Sequence, residues 1–314
     1  MDDVLGRRVL AGFDRRWPAI EAAGGLYVAP ANASAGKLRH AVEAVGTRAL
    51  ELRTGDLTVL EGIHLEYLFV AAPVTDVRPL EGLPALKGLS LESWRGDLDL
   101  SRLPALDWFG ALEVKPGQVE VLLSAGHPRL TWLALGRYRN DDLTPLGRLP
   151  ALTTLWVGET RTLATVDGVA DLRQLRSLTL SRCVRLGTLS GVERSPSLQA
   201  VVVDSCPRVQ ALDPLADVAG LRLVQIESRN PPSLEPLIGH PRLEFAWLIG
   251  GGPPAAEVDA LLGNPSLRLL VTRRATWLRD RDGWTSVDMY AMTPEQQDTY
   301  DRLMADLNRA KDPY

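Results

Sequence analysis

Cys183 and Cys206 are the two thiols of this 314-residue chain, and His40, His64, His127 and His240 are its four imidazoles. Thiols could hold a metal, form a bridge or act as nucleophiles, and imidazoles could ligate metals or move protons. Two cysteines are too few for a disulfide framework or a cysteine zinc site. No histidine has a cysteine or an acid at ligand spacing, and His127 and His240 recur in the same H-P-R-L segment, so architecture accounts for them. There is no H-E-x-x-H, G-x-S-x-G, Walker A or strand-borne G-x-G-x-x-G. Gly250-Gly251-Gly252-Pro253-Pro254 lacks the Lys-Ser/Thr of a phosphate loop and reads as a flexible return. These residues predict no enzyme, no metal and no cofactor.

What must position them is a repeat. The pattern L-x-x-L-x-L opens at Leu65, Leu86, Leu106, Leu130, Leu152, Leu175, Leu198, Leu221, Leu243 and Leu267, in steps of 20 to 24 residues. Proline falls two residues before the opening leucine at Pro84, Pro104, Pro128, Pro150, Pro196, Pro241 and Pro265. A third marker follows the strand, as in Asp76-Val-Arg-Pro79-Leu80, Asp142-Leu-Thr-Pro145-Leu146 and Asp213-Pro214-Leu215. Alternation within x-L-x-L-x is a period of two, hence a short strand with leucines on one face. One strand cannot bury them alone, and stacking turns at roughly 4.8 Å gives a parallel sheet over a continuous core. Short steps with proline behind the strand predict 3₁₀ turns and extended pieces, not long helices.

Over roughly residues 47–275 the sequence resembles the leucine-rich-repeat superfamily, in its short-repeat bacterial type. The resemblance implies an α/β solenoid: a curved parallel sheet on the concave face, with 3₁₀ and irregular convex returns, of about eleven or twelve strands. Members of that family usually carry Asn at the ninth motif position. Here it holds Pro73, Trp94, Val114, Tyr138, Thr160, Cys183, Cys206, Arg229, Gly251 and Ala275, so a continuous asparagine ladder is absent.

Residues 1–46 and 276–314 are expected to cap the array. Val4, Leu5, Val9, Phe13 and Trp17 suggest a helix ending near Pro18, followed by a strand at Leu26–Val28, a helix from Ser34 to about Val45 and a strand from Ala49 to Leu52. Trp277–Met289 reads as a hairpin turning at Asp282-Gly283. Thr293-Pro-Glu-Gln296 is a capping box opening a last helix, with Tyr300, Leu303, Met304 and Leu307 as its apolar stripe. That helix is expected to close the last turn as a lid, with a partner-binding helix as the alternative. The N-terminus does not read as a secretory signal, and no run of apolar residues is long enough to span a membrane. With two cysteines, a cytoplasmic location is expected. A formal net charge of −4 provides no global field for nucleic acid or an anionic membrane.

Positions 3 and 5 of the motif point away from the leucines, into the hollow. They place Tyr67 and Phe69 on one turn, Trp108, Trp132 and Trp156 on three consecutive turns, and Phe245 with Trp247 nearer the C-terminus. Large apolar side chains on an uncovered face are costly unless used, and Trp is the residue most enriched at binding hot spots; the alternative is that a cap or long return folds over them. Position 8 adds Glu113, Arg137, Glu159 and Arg182, a ladder of alternating sign. The C-terminal run Arg268, Arg273, Arg274, Arg279 and Arg281 is interrupted by Asp280 and Asp282 and reads as solvated surface. The expected function is non-catalytic protein–protein recognition, regulatory or as an inhibitor or immunity protein, with a surface adhesin as the alternative and an enzyme a more distant one. The expected partner is a protein, not nucleic acid or a membrane.

Overall fold

In the computed structural model, residues 11–230, 232–273, 275–279, 283–287 and 292–311 are described, without the side chains of 11–16 and 307–311. Val4, Leu5 and Val9, the side chains of Phe13 and Leu307, and Arg274, Asp280, Arg281, Asp282 and Met289 therefore lie outside the described residues. The chain forms two compact units: residues 1–139 with 148–152, and residues 140–147 with 153–314. None of the described helices is long and apolar enough to cross a membrane.

The first unit opens with helix α1 (Ala11–Ala22), strand β1 (Leu26–Val28) and helix α2 (Ala35–Val45). The expected stop at Pro18 is not observed: α1 continues through the proline to Ala22. Ile20, wholly buried, supplies tertiary packing that holds this last turn against the lost backbone bond. Helix α2 ends at Val45 as expected, followed by Gly46 in the left-handed conformation; Ser34 stands at its N-cap, but its side chain makes no capping hydrogen bond. Strands β2 (Ala49–Leu52), β3 (Tyr67–Val74), β4 (Gly88–Trp94), β5 (Trp108–Ala111) and β6 (Trp132–Gly136) then follow, and all six strands of the unit pair in parallel, each with the next.

In the second unit, β7 (Thr154–Gly158), β8 (Ser177–Ser181), β9 (Ala200–Asp204), β10 (Leu223–Ser228), β11 (Phe245–Gly250) and β12 (Leu269–Thr272) are also successively parallel. Antiparallel β13 (Thr276–Arg279) and β14 (Trp284–Val287) extend the sheet as the expected hairpin. Leu155, Val157, Leu178 and Leu180 are fully buried, as the alternation requires.

The returns show why the D-x-x-P-L segment exists. Asp76, Asp99 and Asp142 each accept the N–H two residues ahead, from Arg78, Ser101 and Thr144 at 3.0, 3.0 and 2.9 Å. This Asx turn starts the tight turn, and proline needs no donor there. Short 3₁₀ helices follow at Arg78–Gly82, Leu100–Arg102, Val169–Asp171, Val192–Arg194 and Glu235–Leu237, and short α-helices α3 (Gln118–Leu122), α4 (Asp213–Ala216) and α5 (Ala255–Leu262) occupy other returns.

Sulfur stands where the ladder asparagine is missing. The N–H of Cys183 donates to Sγ of Cys206 at 3.4 Å, and the Cys206 thiol lies 3.5 Å from the carbonyls of Leu180 and Asp204. Both thiols are free and buried. One turn earlier, the hydroxyl of Thr160 accepts from the N–H groups of Thr162 and Leu163. Small polar atoms at position 9 thus satisfy buried backbone groups in three consecutive turns.

Candidate functional site

The sheet face opposite the leucines carries the aromatic residues that the motif places there. In the first unit they are brought together but not left open. Phe69 lies 5.7 Å from Trp108, and Trp108 stacks on Trp132 at 5.0 Å with 25° between planes. Tyr67 and Trp108 close over Gly88, where a Cβ would lie 2.7 Å from Tyr67 Cδ1 and 3.2 Å from Trp108 Cε3. Trp108 is 2% exposed, Trp132 7%, and Tyr67 and Phe69 are buried too. The expectation of an uncovered platform is therefore corrected. Glycine at a position 3 and small residues at position 5 let neighbouring rings lie down on one another, so these aromatics pack as a second apolar layer. The indole N–H of Trp108 is buried without a hydrogen-bond partner, the residue of that packing.

Phe245 requires a second correction: it is completely buried. Helix α6 (Pro294–Lys311) packs against the sheet face with Leu303, and Tyr300 and Met304 join a cluster of Ala200, Val202, Leu223, Phe245, Leu269, Val271, Leu278 and Val287. Its start is the predicted capping box: Thr293 Oγ1 accepts from the Gln296 N–H, and Gln296 Oε1 accepts from the Thr293 N–H. The helix covers outward positions from β9 to β13 instead of lidding the last turn. Apolar residues at those positions, from Ala200 to Val271, match its stripe. Arg268 pairs with Asp306 at 2.7 Å and fixes the helix laterally. Trp247 stays half-buried at its margin.

Trp156 differs from the others. It is half-buried, is no part of the cluster under α6, and lies along its own strand above Gly158, where a Cβ would approach its ring to 2.5 Å. Beside it on β8, Thr179 is half-buried. At position 8, Arg137 pairs with Glu113 at 3.1 Å, and Arg182 pairs with Glu159 at 2.8 Å. Arg137, Glu159, Arg182 and Ser205 all have φ of 51–54°, the left-handed region, where the chain turns off the strand.

Two further ladders escaped the motif reading. Directly before the strand, Glu66 bridges Arg48 and Lys87 at 2.9 and 2.7 Å, and Glu244 bridges Arg222 and Arg268 at 2.7 and 3.4 Å. Their hydrogen bonds hold Lys87 and Arg222 above the ordinary pKa of each group. Alternation of sign at motif position 2 was the available signal. Three residues before the opening leucine, Nε2 of His127 and His240 meets the carbonyls of Leu103 and Val218 at 3.1 and 3.2 Å, while Nδ1 accepts from the N–H two residues on. Asn264 makes the same two bonds at the same motif position. Burial, the first cause, pushes both histidines below the ordinary imidazole value. Among the described residues, no three or more His, Cys, Asp or Glu side chains are grouped to hold a metal ion.

No protein-family model matches the sequence, and no curated protein is recognisably similar. Solved structures are. A chain of the Toll–Spatzle complex of Drosophila aligns with 77% of this chain at 14% identity and a TM-score of 0.54. This chain spans 34% of the length of that one. An internalin of Listeria monocytogenes aligns with 66% of this chain and 69% of its own, at 20% identity and a TM-score of 0.49. A leucine-rich-repeat protein of Leptospira interrogans aligns with 75% of this chain and 70% of its own, at 14% identity and a TM-score of 0.44. At these identities the likeness is one of fold.

Proposed function

We propose that this leucine-rich-repeat protein is a non-catalytic recognition module whose ligand is another protein. The fold it has is one that typically binds protein and is generally not catalytic. The observation that carries the reading is Trp156: a large aromatic side chain left half-buried on the sheet face, with the Glu159–Arg182 pair beginning three residues further along the chain. An aromatic anchor with a polar rim is the usual composition of an interface centre. In the Toll–Spatzle complex, a chain of similar fold is part of an assembly of proteins, which supports the class of ligand and says nothing of its identity. A reducing, cytoplasmic setting belongs to the same proposal and rests on the sequence alone, whose two cysteines are too few for a disulfide framework.

The test is capture of a binding partner from the native host on immobilised protein, with Trp156→Asp as the matched control. A protein held by the wild type and lost by a folded Trp156→Asp variant supports the reading. No retained protein, or equal retention by both, overturns it.

A further inference from the structure

A second surface lies where the chain leaves the strands of the second unit. Arg161 at motif position 10, Arg185 and Arg208 at position 11 and Arg229 at position 9 follow one another on four consecutive turns, and all four are exposed. Arg185 and Arg208 share a motif position, and equivalent points on adjacent turns are about 4.8 Å apart; Arg161 and Arg229 flank them one and two positions earlier in the motif. The other described residues at positions 9 to 11 of these turns are Thr160, Thr162, Cys183, Val184, Cys206, Pro207 and Asn230, none of them charged. Among the described residues, none of the four arginines has a carboxylate partner. Nearby, Glu159 is engaged by Arg182, and Asp204 is hydrogen-bonded by the hydroxyls of Ser181 and Ser205. Glu227 stands on the sheet side of the Arg229 corner.

This row departs from the protein's own habit. At position 2, Glu66 pairs with Arg48 and Lys87 and Glu244 pairs with Arg222 and Arg268; here one sign is repeated with no such partner, and like charges on neighbouring turns repel. The backbone beneath is pinned by the Thr160 hydroxyl and the Cys183–Cys206 sulfur contact, so the row is presented on a fixed scaffold. Val184, 41% exposed, interrupts the row with an aliphatic side chain.

We infer that this corner is a docking strip for an acidic segment of a protein partner, with carboxylates meeting the guanidinium forks and an aliphatic residue meeting Val184. Guanidinium geometry suits carboxylates bidentately. A protein segment fits better than single-stranded nucleic acid, because the described residues at positions 9 to 11 of these turns include no aromatic ring for base stacking and the chain's formal net charge is −4. The strip does not depend on the sheet face being a binding site.

The test is fluorescence anisotropy on the full chain with two probes, a labelled Glu/Asp/Leu peptide and a single-stranded oligonucleotide of equal charge, over a salt series. The peptide is expected to bind, more weakly as salt rises, and Arg185→Glu/Arg208→Glu is expected to weaken it by about tenfold or more. Arg173→Glu/Arg242→Glu, the same charge change on exposed residues before the strands, is expected to leave binding nearly unchanged. Thermal melts of both double variants confirm folding, and Arg185→Gln/Arg208→Gln replaces the reversal if it does not fold. Absence of peptide binding, equal loss in the two double variants, or tighter binding of the oligonucleotide overturns the inference. Each of those outcomes leaves the sheet-face reading intact, since that reading is tested through Trp156 and the natural partner.

Discussion

The indole of Trp108 stacks on that of Trp132 at 5.0 Å with both rings nearly closed to solvent. Aromatics that a repeat motif points away from its core have made a second core of their own. Their consequences for stability and for binding therefore separate.

Trp132→Ala is expected to cost about 3–5 kcal/mol of stability, the range for truncating a buried aromatic. Gly88→Ala should destabilise the same layer by wedging Tyr67 from Trp108. Chemical denaturation followed by circular dichroism measures both. A Trp132→Ala protein as stable as the wild type would return the ring to the list of exposed binding residues.

Among its described side chains, helix α6 buries Leu303, 4% exposed, packs Tyr300 and Met304 beside it, and pairs Asp306 with Arg268. Leu303→Ala should cost about 2–5 kcal/mol. Asp306→Asn should cost about 1 kcal/mol or less, because both partners remain partly solvated. Hydrogen exchange should show β10 to β12 losing protection in Leu303→Ala. Unchanged protection would mean that the helix contributes little to the cluster around Phe245.

The hydrogen bond to Cys206, together with burial, holds the Cys183 thiol far above the ordinary thiol pKa. Both cysteines should resist a thiol-specific reagent in the native protein and react at once on unfolding. Cys206→Ala removes the acceptor of the Cys183 N–H and should cost about 1–3 kcal/mol, whereas Cys206→Ser should recover part of this. Equal stability of the two variants would show that the sulfur contact does not matter.

His127 and His240 have folded pKa values below the ordinary 6.5. Between the folded value and 6.5 the unfolded chain binds more protons than the folded one, so stability rises with pH across that window. It is lost as pH falls from 6.5 through the folded value, and these groups add nothing further below it. Tm should therefore fall as the pH is lowered from 6.5, and the fall should shrink in His127→Asn/His240→Asn. Asparagine is the appropriate replacement because Asn264 already makes both bonds. His127→Ala should cost about 1–3 kcal/mol through its unpaired neighbours.

By itself the sequence determined whatever recurs. Leucines every two residues within a strand and every turn along the chain can be buried only by stacking. Leu155, Leu178 and their equivalents therefore had one available fate. Aspartate and proline behind the strand fixed the returns through local hydrogen bonding, and Thr293 with Gln296 fixed the start of α6 for the same local reason. What the tertiary structure alone decided is which outward residues are open. Motif position gives the direction of a side chain, but cover depends on groups distant in sequence: Leu303 reaches Phe245, and Trp108 lies down on Trp132 because Gly88, a turn away, leaves room. Exposure is a sum over such neighbours, and no single repeat contains them. Of the aromatics assigned to the hollow, Trp156 and Trp247 remain partly open while Tyr67, Phe69, Trp108, Trp132 and Phe245 are packed away.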